Sequence, residues 1–360
     1  MTTNNNNSSD FDAELDALIE YYRELMNTTP TSGTTGSPLC QQPPRESRSG
    51  YPFAAVIIFG IIYSAIFVLA IAGNGLVLAT IAKYHKMRTT TNIFVANLAF
   101  SDILVNVTSL WITPLYSYYG EWVWGKFMCY FVSLFQGCSI FISTLSLTAI
   151  AADRYYVIVK PFAGQINKRL CTAIIVLIWA VSLGILTPHV YQMSYHTNPY
   201  CHRSLCIERW KHRQARRVYG AVLLIVQYAM PIVIISYCYI RIWWILRLRS
   251  ATILHQRSAA GQQADLVRKK RLNKMLVTMV AVFILCWLPM NVTNSIRDYL
   301  PHGSWAENHF PIIFMSAHAI AMSSTCWNPV LYAGMNENFR TAFKSIVYCW
   351  KAGTYDECWV

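Results

Sequence analysis

The sequence predicts an all-α membrane protein, a bundle of seven transmembrane helices followed by a short amphipathic eighth helix. Of its 360 residues, 54% are hydrophobic and only 13% are charged, about half the charged fraction of an ordinary soluble domain. The apolar residues also come in long uncharged runs rather than in amphipathic stripes. A helix needs ~20 apolar residues to cross the ~30 Å core of a bilayer. Seven runs are long enough: 51–82, 89–120 (broken by Asp102 alone), 127–152, 170–200, 218–240, 275–296 and 308–336.

The lysines and arginines between the runs predict the orientation, because cytoplasmic loops carry an excess of both. With the N-terminus outside, the inner segments hold 19 of them and the outer segments 11, six of these between Arg203 and Arg217. We therefore expect a multi-pass plasma-membrane protein with an extracellular N-terminus. It divides into a flexible tail (1–50), a membrane domain (51–335), and an amphipathic helix with a cytoplasmic tail (336–360). Within the extracellular tail, N-x-[ST] glycosylation triplets begin at Asn6, Asn7 and Asn27.

Asp102 lies halfway along the second span, and ionisable residues inside a membrane are costly and usually functional. A buried carboxylate must hold a cation, hold a proton or be solvated by trapped water. Other spans supply hydroxyl and amide groups at similar depths, so the sequence favours an allosteric sodium site or a proton switch; a purely structural network is the alternative. The predicted network consists of Asn74, Asp102, Ser139, Ser143, Ser324 and Asn328.

The inner end of the third span carries Asp153-Arg154-Tyr155. An arginine at a membrane boundary can pair with the neighbouring aspartate in one state and with another partner in a second, which is a two-state electrostatic latch. Simple interfacial anchoring is the alternative. Pro289 and Pro329 each remove a helical hydrogen bond and are expected to kink the sixth and seventh spans. Such kinks would supply hinges at the inner face.

Several short motifs follow one another, span by span. They are Gly73-Asn74; Asn97-Leu98-Ala99 with Asp102; Cys129 with Asp153-Arg154-Tyr155; Trp179; Pro231 with Tyr239; Cys286-Trp287-Leu288-Pro289; and Asn328-Pro329-Val330-Leu331-Tyr332. In this order they resemble the rhodopsin-like G-protein-coupled receptors, from residue 51 to about 349. The resemblance implies a receptor that couples ligand binding outside to activation of a heterotrimeric G protein inside, with arrestin as a further partner.

The resemblance also implies roles for single residues. Cys129 would form a disulfide with Cys206 of the second outer loop, leaving Cys40 as the evident partner for Cys201. Phe162 and Arg154 would contact the G protein. The stretch 337–344 would be the eighth helix on the inner leaflet, with a palmitoyl site at Cys349 just after it. The activation residues would be Pro231, Phe283, Trp287, Asn328, Pro329, Tyr332, Asp153, Arg154, Tyr155 and Tyr239.

Polar residues near the outer ends of the spans predict the ligand class. Trp287, Asn291, Asn294 and Asp298 fall on one face of the sixth span. A carboxylate at the mouth with an amide one turn deeper suits a guanidinium followed by a peptide group. The alternative is an ordinary helix end where Asp298 pairs with Arg297 or His302.

Three neutral polar residues on other spans, Gln136, Gln227 and His318, favour a peptide end without a carboxylate. An amine ligand is excluded because the third span has Gln136, not a carboxylate, eighteen residues before Arg154. A retinal ligand is excluded because no lysine lies between 274 and 344.

These positions resemble the neuropeptide Y receptor group, which recognises peptides with an amidated Arg-aromatic C-terminus. The resemblance implies that Asp298 pairs with the ligand's arginine and that Gln136 helps to hold the amidated end. The stretch 108–114 and the basic outer loop depart from the vertebrate pattern, which suggests an invertebrate type such as an RYamide, luqin or neuropeptide F receptor. The implied ligand-binding residues are Thr113, Gln136, Gln227, Asn294, Asp298 and His318.

The sequence is also compatible with other protein classes. A class A receptor for another peptide type, tachykinin- or orexin-like, fits the same general motifs, and a secondary transporter could be built around Asp102. A transporter should show repeat symmetry, which the sequence lacks. No enzyme is expected, because the spans hold no aspartate pair and no Ser-His pair. No cofactor is expected apart from sodium at Asp102. The inner basic run 268–271 suggests contact with membrane lipid or G protein, not nucleic acid.

Overall fold

A computed structural model of the chain describes residues 53–160, 166–197, 204–254, 260–299 and 305–352. Within them, seven helical spans are long and apolar enough to cross a membrane, which confirms the predicted fold class. The first four are Phe53–Lys83; Thr90–Thr108 continued by Ile112–Tyr119; Gly125–Val159; and Lys168–Tyr191. The last three are Arg213–Leu224 continued by Ile225–Ala229 and Met230–Leu254; Ala260–Tyr299; and Trp305–Met335. The eighth helix is Glu337–Ala352.

Several helices extend past the uncharged runs. The third span continues through Arg154 to Val159, and the sixth span already begins at Ala260. Charged side chains at a helix end can reach the polar interface while the backbone stays helical, so the loss of apolar character does not end the helix. The eighth helix likewise continues to Ala352 instead of ending near residue 344. Cys349 therefore lies within that helix and not after it, which corrects the predicted boundary.

A β-hairpin follows the fourth span. The fourth uncharged run extends to residue 200, but its helix ends at Tyr191, and an uncharged run does not by itself distinguish helix from strand. Strand β1 (Met193–Thr197) pairs antiparallel with β2 (Ser204–Glu208). The predicted disulfide between Cys129 and Cys206 is confirmed, and it attaches β2 to the third span. We call this end of the bundle the hairpin end, and the end that carries Asp153 and Arg154 the opposite end.

The second span is interrupted near the hairpin end. It breaks at residues 109–111, where the backbone amides of Ser109 and Leu110 both donate to the carbonyl oxygen of Val105, at 2.9 and 3.2 Å. Pro114, in the following turn, has no amide hydrogen with which to continue the regular pattern. The departure noted in the sequence at 108–114 is therefore a break in the helix.

Prolines affect the other spans less. The helices continue through Pro289 and Pro329, so neither proline ends its span, and the kinks themselves stay a prediction. In the fifth span a π-turn, Ile225–Ala229, lies just before the buried Pro231. The hydroxyl of Tyr228, within this turn, donates to the carbonyl of Ile284 on the sixth span at 2.9 Å.

Gly73 allows the first and seventh spans to approach each other closely. A Cβ atom at Gly73 would lie 2.8 Å from the Cβ atom of Pro329, well inside van der Waals contact. A Cβ atom at Gly75, on the same helix, would have no neighbouring atom within 4 Å. The absence of a side chain at Gly73 therefore sets the separation of the two spans.

We expect Gly73→Ala to lower the free energy of unfolding by about 1–3 kcal/mol, because an added methyl group in a filled contact forces the backbones apart. Gly75→Ala should be neutral or slightly stabilising, since alanine favours helix. Thermal unfolding of the two purified variants in detergent measures the difference. Equal melting temperatures would contradict the close contact at Pro329.

Candidate functional site

A cavity of about 480 Å³ lies at the hairpin end, between the third to seventh spans and β2. Thr113 lies behind its wall, with its Oγ1 atom 3.4 Å from Oε1 of Gln136. The other five residues predicted to bind ligand line the cavity: Gln136, Gln227, Asn294, Asp298 and His318. The structure thus brings the six residues together, and their role in binding stays a prediction.

A chain of hydrogen bonds crosses one side of this cavity. Nε2 of Gln136 lies 3.1 Å from Nε2 of the fully buried His318, and because an amide nitrogen only donates, this ring nitrogen must accept. The ring proton is then on Nδ1, which lies 2.8 Å from the hydroxyl of Tyr63. That hydroxyl donates in turn to the carbonyl of Met315 at 3.3 Å. The chain therefore fixes the tautomer of His318 and the orientation of the Gln136 amide.

Tyr63 was not predicted from the sequence. A tyrosine in an apolar span is usual near a membrane interface, so its residue type alone carries no signal of a buried polar role. Its side chain is 1% exposed and bridges the first span to the seventh.

An ion-pair cluster lies at the mouth of the cavity, and we call it the mouth cluster. Arg216, on the fifth span, lies 3.2 Å from Asp298 and 3.6 Å from Glu208 of β2. Arg297 lies 3.6 Å from Asp298 and 3.7 Å from Glu208. The cluster consists of Glu208, Arg216, Arg297 and Asp298.

Asp298 is thus paired with Arg297, which is the pairing expected for an ordinary helix end, and also with Arg216. Its side chain is only 12% exposed, so it is not an ordinary solvated helix end. The sequence signal for Arg216 was the concentration of arginine and lysine just before the fifth uncharged run, but their partners cannot be read from charge counts.

Glu208 anchors the hairpin to the mouth cluster. Its Oε1 atom accepts from the indole of Trp210 at 2.7 Å and lies 3.4 Å from Nδ1 of His189. Burial by itself raises the pKa of this carboxyl, but hydrogen bonds from His189 and Trp210 and the charge of Arg216 outweigh burial and lower the pKa from its usual 4.5 to about 2. A lowered folded-state pKa stabilises the fold fully above the unfolded value, and this stabilisation is lost only as the pH falls towards 2. Glu208 is therefore a carboxylate throughout the physiological range.

A second, much smaller cavity of about 20 Å³ lies in the middle of the bundle. Nδ2 of Asn328 donates to Oδ2 of Asp102 at 3.1 Å, and the rings of Phe283 and Trp287 also reach the wall. Five of the six residues of the predicted polar network line this cavity: Asp102, Ser139, Ser143, Ser324 and Asn328.

Asn74, the sixth residue of the predicted network, has another role. Its amide donates to the backbone carbonyls of Ala70 and Thr325, both at 2.9 Å, so it connects the first and seventh spans. Asn106 was not predicted to join the network, yet its amide donates to the carbonyl of Asp102 at 2.6 Å and to the hydroxyl of Thr325 at 3.0 Å. The spacing of four residues after Asp102 was the signal that could have indicated it.

The residues of the predicted latch lie at the opposite end, and the exchange of partners by Arg154 stays a prediction. Nη2 of Arg154 lies 2.9 Å from Oδ2 of Asp153, and the hydroxyl of Thr91 donates to the same oxygen at 2.6 Å. Arg154 and Tyr332 line a cavity of about 950 Å³ that the sixth span and the eighth helix also border. Tyr239 is buried in the neighbouring apolar cluster together with Tyr332. Of these predicted activation residues, Arg154 and Tyr332 line the cavity, and Tyr239 belongs to the buried apolar cluster.

The other predicted activation residues are placed as follows. The rings of Phe283 and Trp287 lie 6.1 Å apart, and Tyr155 packs beside Tyr237 at 6.0 Å. Several predicted residues lie outside the described residues: Asn6, Asn7, Asn27, Cys40, Phe162 and Cys201.

The described part of the chain thus combines seven membrane-spanning helices with a polar cavity at one end, a buried carboxylate in the middle and a second large cavity at the other end. This arrangement defines the class of seven-helix membrane receptors. The family described as "7 transmembrane receptor (rhodopsin family)" matches residues 73–332. The chain therefore belongs to the rhodopsin family of seven-transmembrane receptors, and it is not a member of an enzyme family.

Relatives of known type lie within that family. The chain is 33% identical to neuropeptide Y receptor type 6 of Mus musculus over 311 residues, 83% of each chain. It is 36% identical to neuropeptide Y receptor type 2 of Mus musculus over 300 residues, 81% of this chain and 77% of the relative. To the type 2 receptor of Gallus gallus it is 35% identical over 328 residues, 89% of this chain and 82% of the relative.

We expect Tyr63→Phe to lower the free energy of unfolding by about 1–3 kcal/mol, because the buried ring proton of His318 loses its acceptor. Tyr191→Phe is the matched control: Tyr191 is 84% exposed, and surface changes usually stay within about 0.5 kcal/mol. Thermal unfolding of both variants in detergent measures the effect. Equal stability of the two variants would contradict the hydrogen-bond chain.

Proposed function

We propose that the chain is a G-protein-coupled receptor for a neuropeptide with an amidated Arg-Phe or Arg-Tyr C-terminus. The observation that carries the proposal is the cavity at the hairpin end, which is lined by the carboxylate of Asp298, by neutral amides and by an imidazole. Similarity to neuropeptide Y receptors supports a peptide ligand. Gln136 and Gln227 carry no charge, so they suit a terminal amide and give a free C-terminal carboxylate no charged partner.

The cavity suggests how such a peptide end is held. Asp298 would pair with the ligand's arginine through a charge-assisted contact, and Asn294, one turn deeper, would bond to the peptide backbone. Gln136 retains one amide hydrogen and one oxygen lone pair beyond its contacts with His318 and Thr113, which leaves it able to bond to a terminal amide. Gln227 and His318 would complete the wall.

We place the hairpin end outside the cell and the opposite end in the cytoplasm, in keeping with the distribution of lysine and arginine. The N-terminal tail would then carry glycans at Asn6, Asn7 and Asn27. The cavity around Arg154 would receive the G protein, and later arrestin, with Phe162 as a further contact. The eighth helix would lie on membrane lipid, with Cys349 as a palmitoyl site.

Transmission would run through the middle of the bundle. Trp287 borders both the ligand cavity and the small cavity of Asp102, so a change at the ligand is passed to the residues around that carboxylate. Asn328 bonds to Asp102 and lies one helical turn before Tyr332. Movement of the seventh span would thus reach the Arg154 cavity, where Arg154 exchanges Asp153 for a new partner.

The small cavity is suited to a sodium ion. One carboxylate and three serine hydroxyls are oxygen ligands of the kind that hard cations prefer, and about 20 Å³ accommodates one water-sized particle. A single carboxylate balances a single positive charge. Among the described residues no group of three or more His, Cys, Asp and Glu side chains is positioned to hold a metal ion, so the donors do not favour a transition metal.

We expect Asp298→Asn to raise the EC50 for amidated peptides ending in Arg-Phe or Arg-Tyr about ten- to hundredfold, because loss of one charge-assisted contact typically costs ~1.5–3 kcal/mol. Calcium and cAMP responses of transfected cells, normalised to surface expression, measure it. Glu121→Gln, which removes another negative charge from the segment before the third span, is the matched control and should change the EC50 less than about twofold.

A second ligand makes this test specific. A peptide with citrulline in place of arginine keeps the shape of the side chain but not its charge. Its EC50 should therefore be high on the wild type, and Asp298→Asn should not raise it further. An unchanged EC50 for the arginine peptide on Asp298→Asn would contradict the assigned contact. A wild-type response to tachykinin- or orexin-like peptides alone would keep the receptor class and exclude the Arg-aromatic amide.

We expect sodium to stabilise the purified wild-type receptor relative to choline at equal ionic strength. A ligand that binds only the folded state adds RT ln(1 + [L]/Kd), about 1.4 kcal/mol at tenfold excess over Kd. The difference in melting temperature between the two salts should vanish in Asp102→Asn. The same difference in wild type and variant would exclude a sodium site at Asp102.

A further inference from the structure

The mouth cluster contains a contact that the proposed function leaves unexplained. Asp298, proposed to receive the ligand's arginine, already lies 3.2 Å from Nη2 of Arg216, and Arg216 lines the same cavity. On the basis of the proposed function, on which this step depends, we infer that Arg216 is an internal competitor. It occupies the place of the ligand's guanidinium in the free receptor and thereby limits the affinity for arginine-bearing peptides.

The fifth span is shaped for this contact. Arg216 and Gly220 are four residues apart and share one helical face. A Cβ atom at Gly220 would lie 3.2 Å from Oδ2 of Asp298, which is tighter than ordinary van der Waals contact. The missing side chain at Gly220 therefore leaves room for the carboxylate beside Arg216, so the two charged groups meet across the fifth and sixth spans.

The pair is held by charge and not by well-formed hydrogen bonds. Among the described residues, neither Oδ1 of Asp298 nor Nε of Arg216 has a hydrogen-bond partner, although both atoms are buried. A guanidinium that enters from the cavity can donate two parallel N–H bonds to a carboxylate. The ligand's arginine would therefore satisfy Asp298 better than Arg216 does, which makes the exchange favourable.

Glu208 gives the displaced arginine a place to go. Nη2 of Arg216 lies 3.6 Å from Oε2 of Glu208, while Oε1 of Glu208 is engaged by Trp210 and His189. The mouth cluster holds two carboxylates and two arginines, so a third guanidinium is accommodated on Asp298 when Arg216 moves wholly to Glu208. Three guanidiniums would then share two carboxylates, with the ligand's arginine on Asp298 and with Arg216 and Arg297 both on Glu208.

The test compares the adjacent arginines 216 and 217. Arg216→Gln removes the competitor, whereas Arg217→Gln removes the same charge from a side chain that bonds to the backbone carbonyl of Asp298 at 2.9 Å and not to its carboxylate. We expect Arg216→Gln to lower the EC50 of an amidated Arg-Phe peptide about three- to tenfold, the size of a modest ion pair. The citrulline analogue should not gain, and Arg217→Gln should not lower the EC50 of either peptide more than about twofold.

The outcomes separate the two levels of the proposal. A wild type that is well expressed but silent to the arginine peptide overturns the proposed function and the competitor together. A wild type that responds, with an EC50 that is unchanged or higher in Arg216→Gln, overturns the competitor alone. An equal gain for the citrulline analogue, or in Arg217→Gln, would also overturn it, since the effect would then be one of general charge. If Arg216→Gln fails to reach the surface, Arg216→Met removes the charge while keeping a long unbranched side chain and should lower the EC50 in the same direction; no decrease overturns the competitor.

Discussion

The structure depends on one constraint, namely that polar groups inside a membrane bundle have no water and must find partners on other helices. The second span meets this constraint most often. Asp102 and Asn106 bond to the seventh span, Ser101 approaches the third, and Asn97 connects the third and fourth spans through Ser146 and Trp179. A substitution that removes one of these hydrogen-bonding side chains leaves its partner unsatisfied in the core, which costs more free energy than the loss of an apolar contact. The relative positions of the first four spans and the seventh are therefore specified by a few polar atoms, while the apolar contacts between them could be satisfied in several ways.

The two large cavities show what happens where this constraint relaxes. At the hairpin end, four charged side chains are partly exposed and share their partners, with each arginine within 3.7 Å of both carboxylates. At the opposite end, Arg154 is likewise paired with its own neighbour Asp153 while it faces open space. Groups of this kind can exchange one partner for another, whereas the hydrogen bonds in the middle of the bundle connect the helices to one another. In the middle of the bundle, polar groups are far from water and depend on partners in other helices. In the two large cavities, polar groups are nearer to water and depend on such partners less.

Much of the fold could be predicted because a membrane imposes length and polarity on each helix. The seven spans follow from uncharged runs, and Asp102, Asn328 and the serines around them follow from their cost in an apolar run. Helix ends were less predictable, since the third helix continues through Arg154 and the fourth helix ends at Tyr191, before the end of its uncharged run. The six residues predicted to bind ligand were chosen from polar positions on the spans and from the resemblance to a receptor group, but their contacts could not be predicted. Tyr63 and Arg216 were missed because their significance depends on a partner from a distant part of the chain: His318 for the first, and Asp298 with Glu208 for the second.

The π-turn at Ile225–Ala229 has a consequence for the whole hairpin end of the fifth span. A helix turns by about 100° per residue, and a π-turn accommodates an extra residue without a matching advance along the axis. The segment before the turn is therefore rotated relative to the segment after it. Arg216 and Gly220 precede the turn, whereas Pro231 follows it. Suppose that the fifth span were a regular α-helix and kept the orientation it has after the π-turn. The face that carries Arg216 and Gly220 would then point away from Asp298, and Asp298 would contact other residues of the fifth span. The π-turn therefore helps to determine which side chains of the fifth span face the cavity at the hairpin end, although no residue of the turn belongs to the mouth cluster.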